Sequence, residues 1–312
     1  MRSESRELLR SFAGFTVVHP YFKVALDTID EAIETTEICG EPSSVLLLGN
    51  GGTGKTRVCD TLAAKFGVPE TVRNGEEIIL TKPIINCAVP PNTTLKGLIE
   101  GILQELGGVI KNQSISRLEY MLYTLLKTCK TKLIMLDEWQ HLLTRGSEKT
   151  RGAVTDWVKV LTDTFDGTVI LSGTLKCEVI VDDDDQLSGR FPYRVYLRNF
   201  SIDTEIEKRI FTGLICAFAH EIKQSMPLNE VIALTDEAIL LGLYAFSAGN
   251  LRTLRKVLHA ALKSALERND RRFLVADLAY AANRIKSPNR LTKANPFEIS
   301  FKELQKSLYR HT

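Results

Sequence analysis

Through the first two thirds of the chain, short continuous apolar runs alternate with stretches of helical period. The apolar runs are Val45-Leu46-Leu47-Leu48, Pro83 to Val89, Lys132 to Leu136, Thr168 to Leu171 and Tyr193 to Leu197. Runs of this length with little polar alternation are the mark of strands buried on both faces. Between them, apolar positions recur at intervals of three and four, which predicts helices. One stripe is Val24, Leu26, Ile29 and Ile33; a second is Val58, Leu62 and Phe66; a third is Leu95, Leu98, Ile99, Ile102, Leu103 and Leu106. Ser116 to Lys130 and the set Val154, Trp157, Val158 and Leu161 continue the series. Gly40 with Pro42, Asn74-Gly75, Pro90-Pro91, Gly107-Gly108 and Asp166-Gly167 punctuate it as turns and stops, and Thr93 or Thr94 is placed to cap a helix. Strands alternating with helices imply a right-handed parallel sheet with helices on both faces.

From Ser201 onward the period is purely helical. Ile206, Ile210, Leu214 and Ile215 form one stripe, Ile239, Leu240, Leu243 and Tyr244 another. Leu251, Leu254, Val257, Leu258 and Leu262 make a third, and Leu274, Leu278 and Ala282 a fourth. Four helices without strands predict a second, all-helical domain. After Ser287-Pro288, a weak stripe of Phe301, Leu304 and Leu308 reads as a segment that orders on a partner. The expected organisation is an N-terminal extension and helix over 1–40, an α/β domain over 41–199, a helical lid over 200–286 and a tail over 287–312.

Composition adds little to this picture and charge adds more. Hydrophobic residues at 44% and charged residues at 25% are those of an ordinary globular protein. The apolar runs fall far short of the ~20 residues of a membrane helix, and Met1 to Glu7 has no signal-peptide core, so a cytoplasmic protein with no membrane partner is expected. Six cysteines without a C-x-x-C pair point to neither zinc nor disulfides and are read as buried thiols. The net charge of +2 is unevenly spread: residues 249–312 hold 14 Lys/Arg against 5 Asp/Glu, a basic region suited to DNA or an acidic surface. Asp182 to Asp185, four like charges in a row, read as a solvated loop.

The chemistry concentrates at strand ends. Gly49-Asn50-Gly51-Gly52-Thr53-Gly54-Lys55-Thr56 fits the P-loop pattern G-x-x-x-x-G-K-[ST] between a strand and a helix. Glycines let backbone N–H groups turn toward phosphate oxygens at a helix N-terminus. Lys55 is placed to reach the β- and γ-phosphates of ATP, and the Thr56 hydroxyl to ligate Mg²⁺. Asp137, ending an apolar strand, is placed to hold Mg²⁺ opposite Thr56, and Glu138 to polarise the attacking water. Ser172 or Thr174, ending another strand, is placed to sense the γ-phosphate. The Leu187-Ser188-Gly189 fragment lacks the Gly-Gln of a transporter signature and is not read as one.

These parts together resemble the AAA+ P-loop NTPases, with a parallel sheet flanked by helices and a small helical lid. Arg190, before the last strand, occupies the family's arginine-finger position, which acts on a neighbouring subunit's nucleotide. Gly249-Asn250-Leu251-Arg252 resembles the lid motif whose arginine, here Arg252, touches the nucleotide within the subunit. Within AAA+ the chain most resembles the TniB/TnsC group of transposition regulators, including those of CRISPR-associated transposons. The resemblance spans roughly residues 12 to 285 and includes His19-Pro20, Leu136-Asp137-Glu138, Ser172-Gly173-Thr174 and Arg190-Phe191. Thr174 departs from the asparagine common in other AAA+ groups.

The resemblance implies an ATP-dependent ring or helical oligomer on duplex DNA that recruits or activates a transposase in concert with a target-selection protein, CRISPR-associated ones included. The inner surface of such assemblies follows the second strand and the Asp-Glu strand, where this chain holds Lys96, Arg117, Lys149 and Arg151. Their phosphate contacts would be independent of sequence and sensitive to salt. A replication initiator or helicase loader, or a signalling switch ATPase, would share the core; the first commonly adds a DNA-binding domain larger than residues 287–312, the second a large sensor region.

Overall fold

The computed structural model describes residues 3–40, 43–67, 69–74, 77–91, 94–110, 113–144, 148–268 and 270–308. Pro42, Gly75 and Thr93 lie outside them, as does the side chain of Lys149. Helices α1 (Ser3–Gly14) and α2 (Pro20–Cys39) precede strand β1 (Val45–Gly49) and helix α3 (Lys55–Phe66). Strands β2 (Glu70–Asn74), β3 (Glu77–Thr81) and β4 (Ile84–Ala88) follow, then α4 (Leu95–Glu105) and α5 (Ile115–Thr128). Next come β5 (Leu133–Asp137), α6 (His141–Thr144), α7 (Glu148–Thr164) and β6 (Thr168–Gly173). Helices α8 (Lys176–Asp182) and α9 (Asp185–Arg190) lead to β7 (Tyr193–Leu197). The remainder is α10 (Glu205–Ser225), β8 (Glu230–Val231), α11 (Glu237–Ser247), α12 (Leu251–Arg268), β9 (Arg272–Phe273), α13 (Val275–Arg284) and α14 (Phe301–Leu308). Two compact units result, one of Tyr21–Gly51 and Lys55–Leu197, the other of Met1–Pro20, Gly52–Gly54 and Arg198–Thr312.

The first unit is built on a five-stranded sheet in the order β4-β5-β6-β1-β7, with every pairing parallel. Strand parity sorts its core into two layers. Leu46, Leu48, Ile134, Leu136, Val169 and Leu171 pack with residues of α4, α5 and α7 such as Leu98, Leu118 and Trp157. Val45, Leu47, Leu133, Met135 and Ile170 pack instead with Phe22 and Ile29 of α2 and Val58 and Leu62 of α3. Both faces are therefore apolar, which is why these runs carry no alternation. Thr94 caps α4 by accepting from Gly97 N–H at 3.1 Å.

The antiparallel pair β2–β3, with Asn74 opposite Glu77, is present although the sequence announced only its turn, because its strands mix charges with apolar residues. Asp182 to Asp185 are mostly exposed, as expected, but they join two helices instead of forming a loop. Asp182 closes α8 and pairs with Arg194 at 2.7 Å, while Asp184 caps α9 through Gln186 and Leu187 N–H and pairs with Lys159 at 2.8 Å. Opposite charges brought by α7 and β7 offset the repulsion within the run.

Among the described residues of the second unit the strands are the two-residue β8 and β9, which pair in parallel, so the expectation of helices alone is also corrected. Arg268 donates to the buried Asp277, whose other oxygen accepts from Leu274 N–H at 2.9 Å; this ties α12 to the start of α13. The polar N-terminal stretch forms the amphipathic α1, with Leu9 and Phe12 buried. Phe12 and Phe15 pack on Phe218 with centroids at 5.8 and 6.1 Å, and Arg255 donates to Ala13 O at 2.8 Å. The tail is ordered on its own unit, with Leu304 and Leu308 of α14 buried against Leu241 and Ala245, rather than left for a partner. Asn295, buried, donates to Ala279 O at 2.8 Å and fixes the approach to α14. Four cysteines are buried, but Cys39 and Cys216 are exposed, against expectation. Among the described residues no helix is long and apolar enough to cross a membrane.

His19 lies within the second unit, 4% exposed and edge-on to Phe200 at 4.8 Å. Burial lowers its pKa from 6.5 to about 4. The folded imidazole thus stays neutral where the unfolded one gains a proton, so stability is lost as pH falls from about 6.5 to about 4. The shift corresponds to a loss on the order of 3 kcal/mol at the acid end. Denaturant unfolding of the wild type and His19→Phe across this range should show that pH-dependent difference; parallel curves would refute it.

Candidate functional site

β1 ends at Gly49 and α3 begins at Lys55, so the glycine-rich segment forms the turn between a buried strand and a helix N-terminus. Gly52 and Gly54 have φ of +88° and +110°, which β-carbon-bearing residues rarely adopt. The Lys55 amine folds back on the loop, donating to Gly49 O at 2.6 Å and Asn50 O at 3.4 Å. Thr53 is buried and Thr56 exposed. In the helical unit, Arg252 N–H donates to Gly52 O at 3.1 Å, and Asn250 lies beside the same glycine. The buried Asn250 also donates to Asn199 Oδ1 and accepts from Thr253 N–H, both at 3.1 Å. Its sequence signal was its place between Gly249 and Leu251 in the lid motif.

Asp137 and Glu138 stand at the C-terminal edge of β5, two strands from β1 in the sheet order. Asp137 Oδ1 accepts from Ser172 Oγ of the intervening β6 at 2.7 Å and from Glu138 N–H at 2.8 Å. Glu138 is exposed, with a left-handed φ of +59°. Trp139 N–H donates to Ser172 O at 2.9 Å, anchoring the turn that follows. The fields of Asp137 and Lys55 both reach buried Cys59, whose thiol is raised to about 12 chiefly by desolvation and then by Asp137. Cys177, also raised to about 12 mainly by burial, lies in the fields of Lys55 and Glu138. Lys55, Asp137 and Glu138 are therefore gathered at one edge of the sheet.

Thr174 offers its backbone N–H to Gln140 Oε1 at 3.0 Å, and its hydroxyl oxygen is buried. Gln140 also donates to Glu138 Oε2. This residue escaped the sequence reading because nothing local marks a glutamine two positions past the acidic pair.

Arg190 lies elsewhere. Its carbonyl accepts from Ser44 N–H at 3.0 Å, at the start of β1, so the five residues of that strand, ~16 Å at ~3.3 Å each, separate it from its own P-loop. The guanidinium makes a two-pronged pair with Asp163, both bonds 2.8 Å, and donates to Gln186 O at 2.7 Å. The adjoining Phe191 is fully buried and fixes the position.

Lys96, Arg117 and Arg151 sit in the first turns of α4, α5 and α7. The far ends of these helices lie by strand starts: Lys82 bonds to Glu105 O and Cys129 O, and Thr164 is followed closely by β6. Their first turns therefore lie at the strand edge that carries the P-loop. Lys96 is 3.9 Å from Glu100, Arg151 is 3.9 Å from Glu148, and the exposed Arg117 stacks over Tyr120 at 5.4 Å.

Residues 13–200 match the family model described as "TniB: Bacterial TniB protein". No curated protein matches the chain. Among solved structures it is similar to the ORC1 protein of Aeropyrum pernix in complex with DNA, at TM-score 0.60 and 15% identity, covering 91% of this chain and 70% of that one. It is similar to CDC6P from Pyrobaculum aerophilum at TM-score 0.61 and 12% identity, covering 86% and 68%. The Thermotoga maritima RuvB Holliday junction branch migration motor gives 0.51 and 14%, covering 93% and 76%. At these identities the likeness is one of fold, that of the AAA+ P-loop NTPases.

A β-carbon on Gly52 would lie 2.7 Å from Arg252 Cβ and 2.8 Å from Asn250 Oδ1 at an already unfavourable φ, whereas one on Gly51 would meet nothing within 4 Å. Gly52→Ala should cost about 1–3 kcal/mol in denaturant unfolding and Gly51→Ala well under 1; equal effects would contradict the close approach.

Proposed function

The chain belongs to the TniB family, and from that premise we propose that it is an ATP-hydrolysing, DNA-binding regulator of DNA transposition. The observation that carries this reading is the gathering of Lys55, Asp137 and Glu138 at one strand edge, with Ser172 bridging between β5 and the P-loop strand. Residues Gly49 to Thr56 cradle the phosphates of ATP, and the Lys55 amine exchanges the carbonyls of Gly49 and Asn50 for the β- and γ-phosphates. Thr56, exposed, and Asp137, whose two bonds both fall on Oδ1, offer the hard oxygens that suit Mg²⁺. Bound there, Mg²⁺ would neutralise charge on the phosphates. Glu138 polarises the attacking water.

Arg190 supplies its guanidinium to the nucleotide of a neighbouring subunit, a role in keeping with its distance from its own P-loop. Such a role requires a ring or helical oligomer. Arg252, whose backbone already meets Gly52, contacts the nucleotide in the same subunit, and Thr174 senses its γ-phosphate through the network at the end of β6. Lys96, Arg117, Lys149 and Arg151 contact duplex DNA phosphates from one edge of the sheet. The assembled protein, cytoplasmic, recruits or activates a transposase together with a target-selection protein. The likeness to ORC1 and CDC6P supports a second reading, a replication initiator, which stimulation of a transposase by the assembled protein would exclude.

Glu138→Gln should lower ATP hydrolysis by about 10²- to 10⁴-fold while ATP stays bound. With ATP and duplex DNA that variant should appear as rings or filaments by electron microscopy; a monomer under these conditions sinks the oligomer reading. Lys96→Ala combined with Arg117→Ala and Arg151→Ala should weaken DNA binding and flatten its salt dependence, read by fluorescence anisotropy.

A further inference from the structure

Gln140 is half-buried between the end of β5 and the end of β6. Its Oε1 accepts from Thr174 N–H at 3.0 Å and faces Cys177 Sγ at 3.6 Å. Both neighbours are donors: the first is a backbone amide, and burial keeps the second a protonated thiol. The end of the side chain that faces them must therefore be the carbonyl oxygen, so the amide NH₂ is turned the other way. There it donates to Glu138 Oε2.

The geometry points to Gln140 as a positioning residue that couples the end of β6 to the carboxylate of Glu138, an inference that rests on the hydrolytic reading above. Glu138 itself is exposed and emerges from a left-handed backbone turn, so its side chain has little packing to select one orientation. The amide of Gln140 supplies that selection. It occupies Oε2 and leaves Oε1 as the oxygen that meets water. The donating N–H is polarised by the bond that the same amide accepts from Thr174, so each of the two bonds strengthens the other. Glycine at 173 makes the arrangement possible, because a β-carbon there would lie 2.6 Å from Gln140 Oε1 and collide with Cys177 Sγ. Any shift of Thr174 that accompanies γ-phosphate binding or loss is thereby passed to Glu138 through one rigid planar group.

Two variants separate the donor from mere bulk. Gln140→Ala removes the side chain, and Gln140→Glu keeps its length and its acceptor for Thr174 but has no N–H for Glu138. ATP turnover with duplex DNA should show kcat about 10- to 100-fold lower in both, with KM for ATP little changed, the cost of a loosened orienting partner. In a Glu138→Gln background, Gln140→Ala should change the residual rate by less than about twofold, since the group it positions is already disabled. An unchanged or raised kcat in Gln140→Ala, or an equal loss in both backgrounds, overturns the proposal while leaving the ATPase reading intact. Absence of hydrolysis by the wild-type chain overturns both.

Discussion

The oxygen Asp137 Oδ1 is the point on which the sheet and the candidate site both depend. It accepts from Ser172 on the neighbouring strand and from Glu138 N–H in its own chain. The first bond locks the C-terminal edge of β5 to that of β6, and the second helps hold the left-handed turn from which Glu138 and Gln140 emerge. A carboxylate that accepts such bonds at a half-buried strand end is more strongly held than a neutral group would be. The parallel sheet makes this possible, because it aligns the carboxyl ends of β1, β5 and β6 on one edge.

The same parallel geometry separates residues as firmly as it gathers others. Arg190 precedes β7 and bonds at the start of β1, so strand direction alone sends it to the far edge. There it is held by Asp163 and by the buried Phe191 beside it. The pair is partly exposed, so its contribution to stability is on the order of 1 kcal/mol. The helical unit follows another logic. Its interior is aromatic, with Phe211 packed edge-on to Tyr244 and tilted against Phe200, and with Phe218 receiving α1. Within it, Phe200 N–H donates to Gly249 O at 2.9 Å, which positions Asn250 and Arg252 at Gly52.

The chain's own spacing determined the five parallel strands, the helices α2, α3, α4, α5 and α7, and the positions of the P-loop and the Asp-Glu pair. These are legible because a strand buried on both faces needs an unbroken apolar run, and because phosphate binding needs glycines at fixed intervals before a helix. The signal failed where charges interrupt the apolar pattern, as in β2–β3, and where the stabilising contacts come from distant residues, as in α1, which packs on Phe218. Only the tertiary structure decided that Asp184 caps α9 and pairs with Lys159, that Asp182 pairs with Arg194, that α14 folds onto α11, and that Gln140 spans Glu138 and Thr174. Each of these rests on a partner far along the chain or on a neighbouring strand, and a one-dimensional pattern records which residues are apolar or charged but not which of them meet.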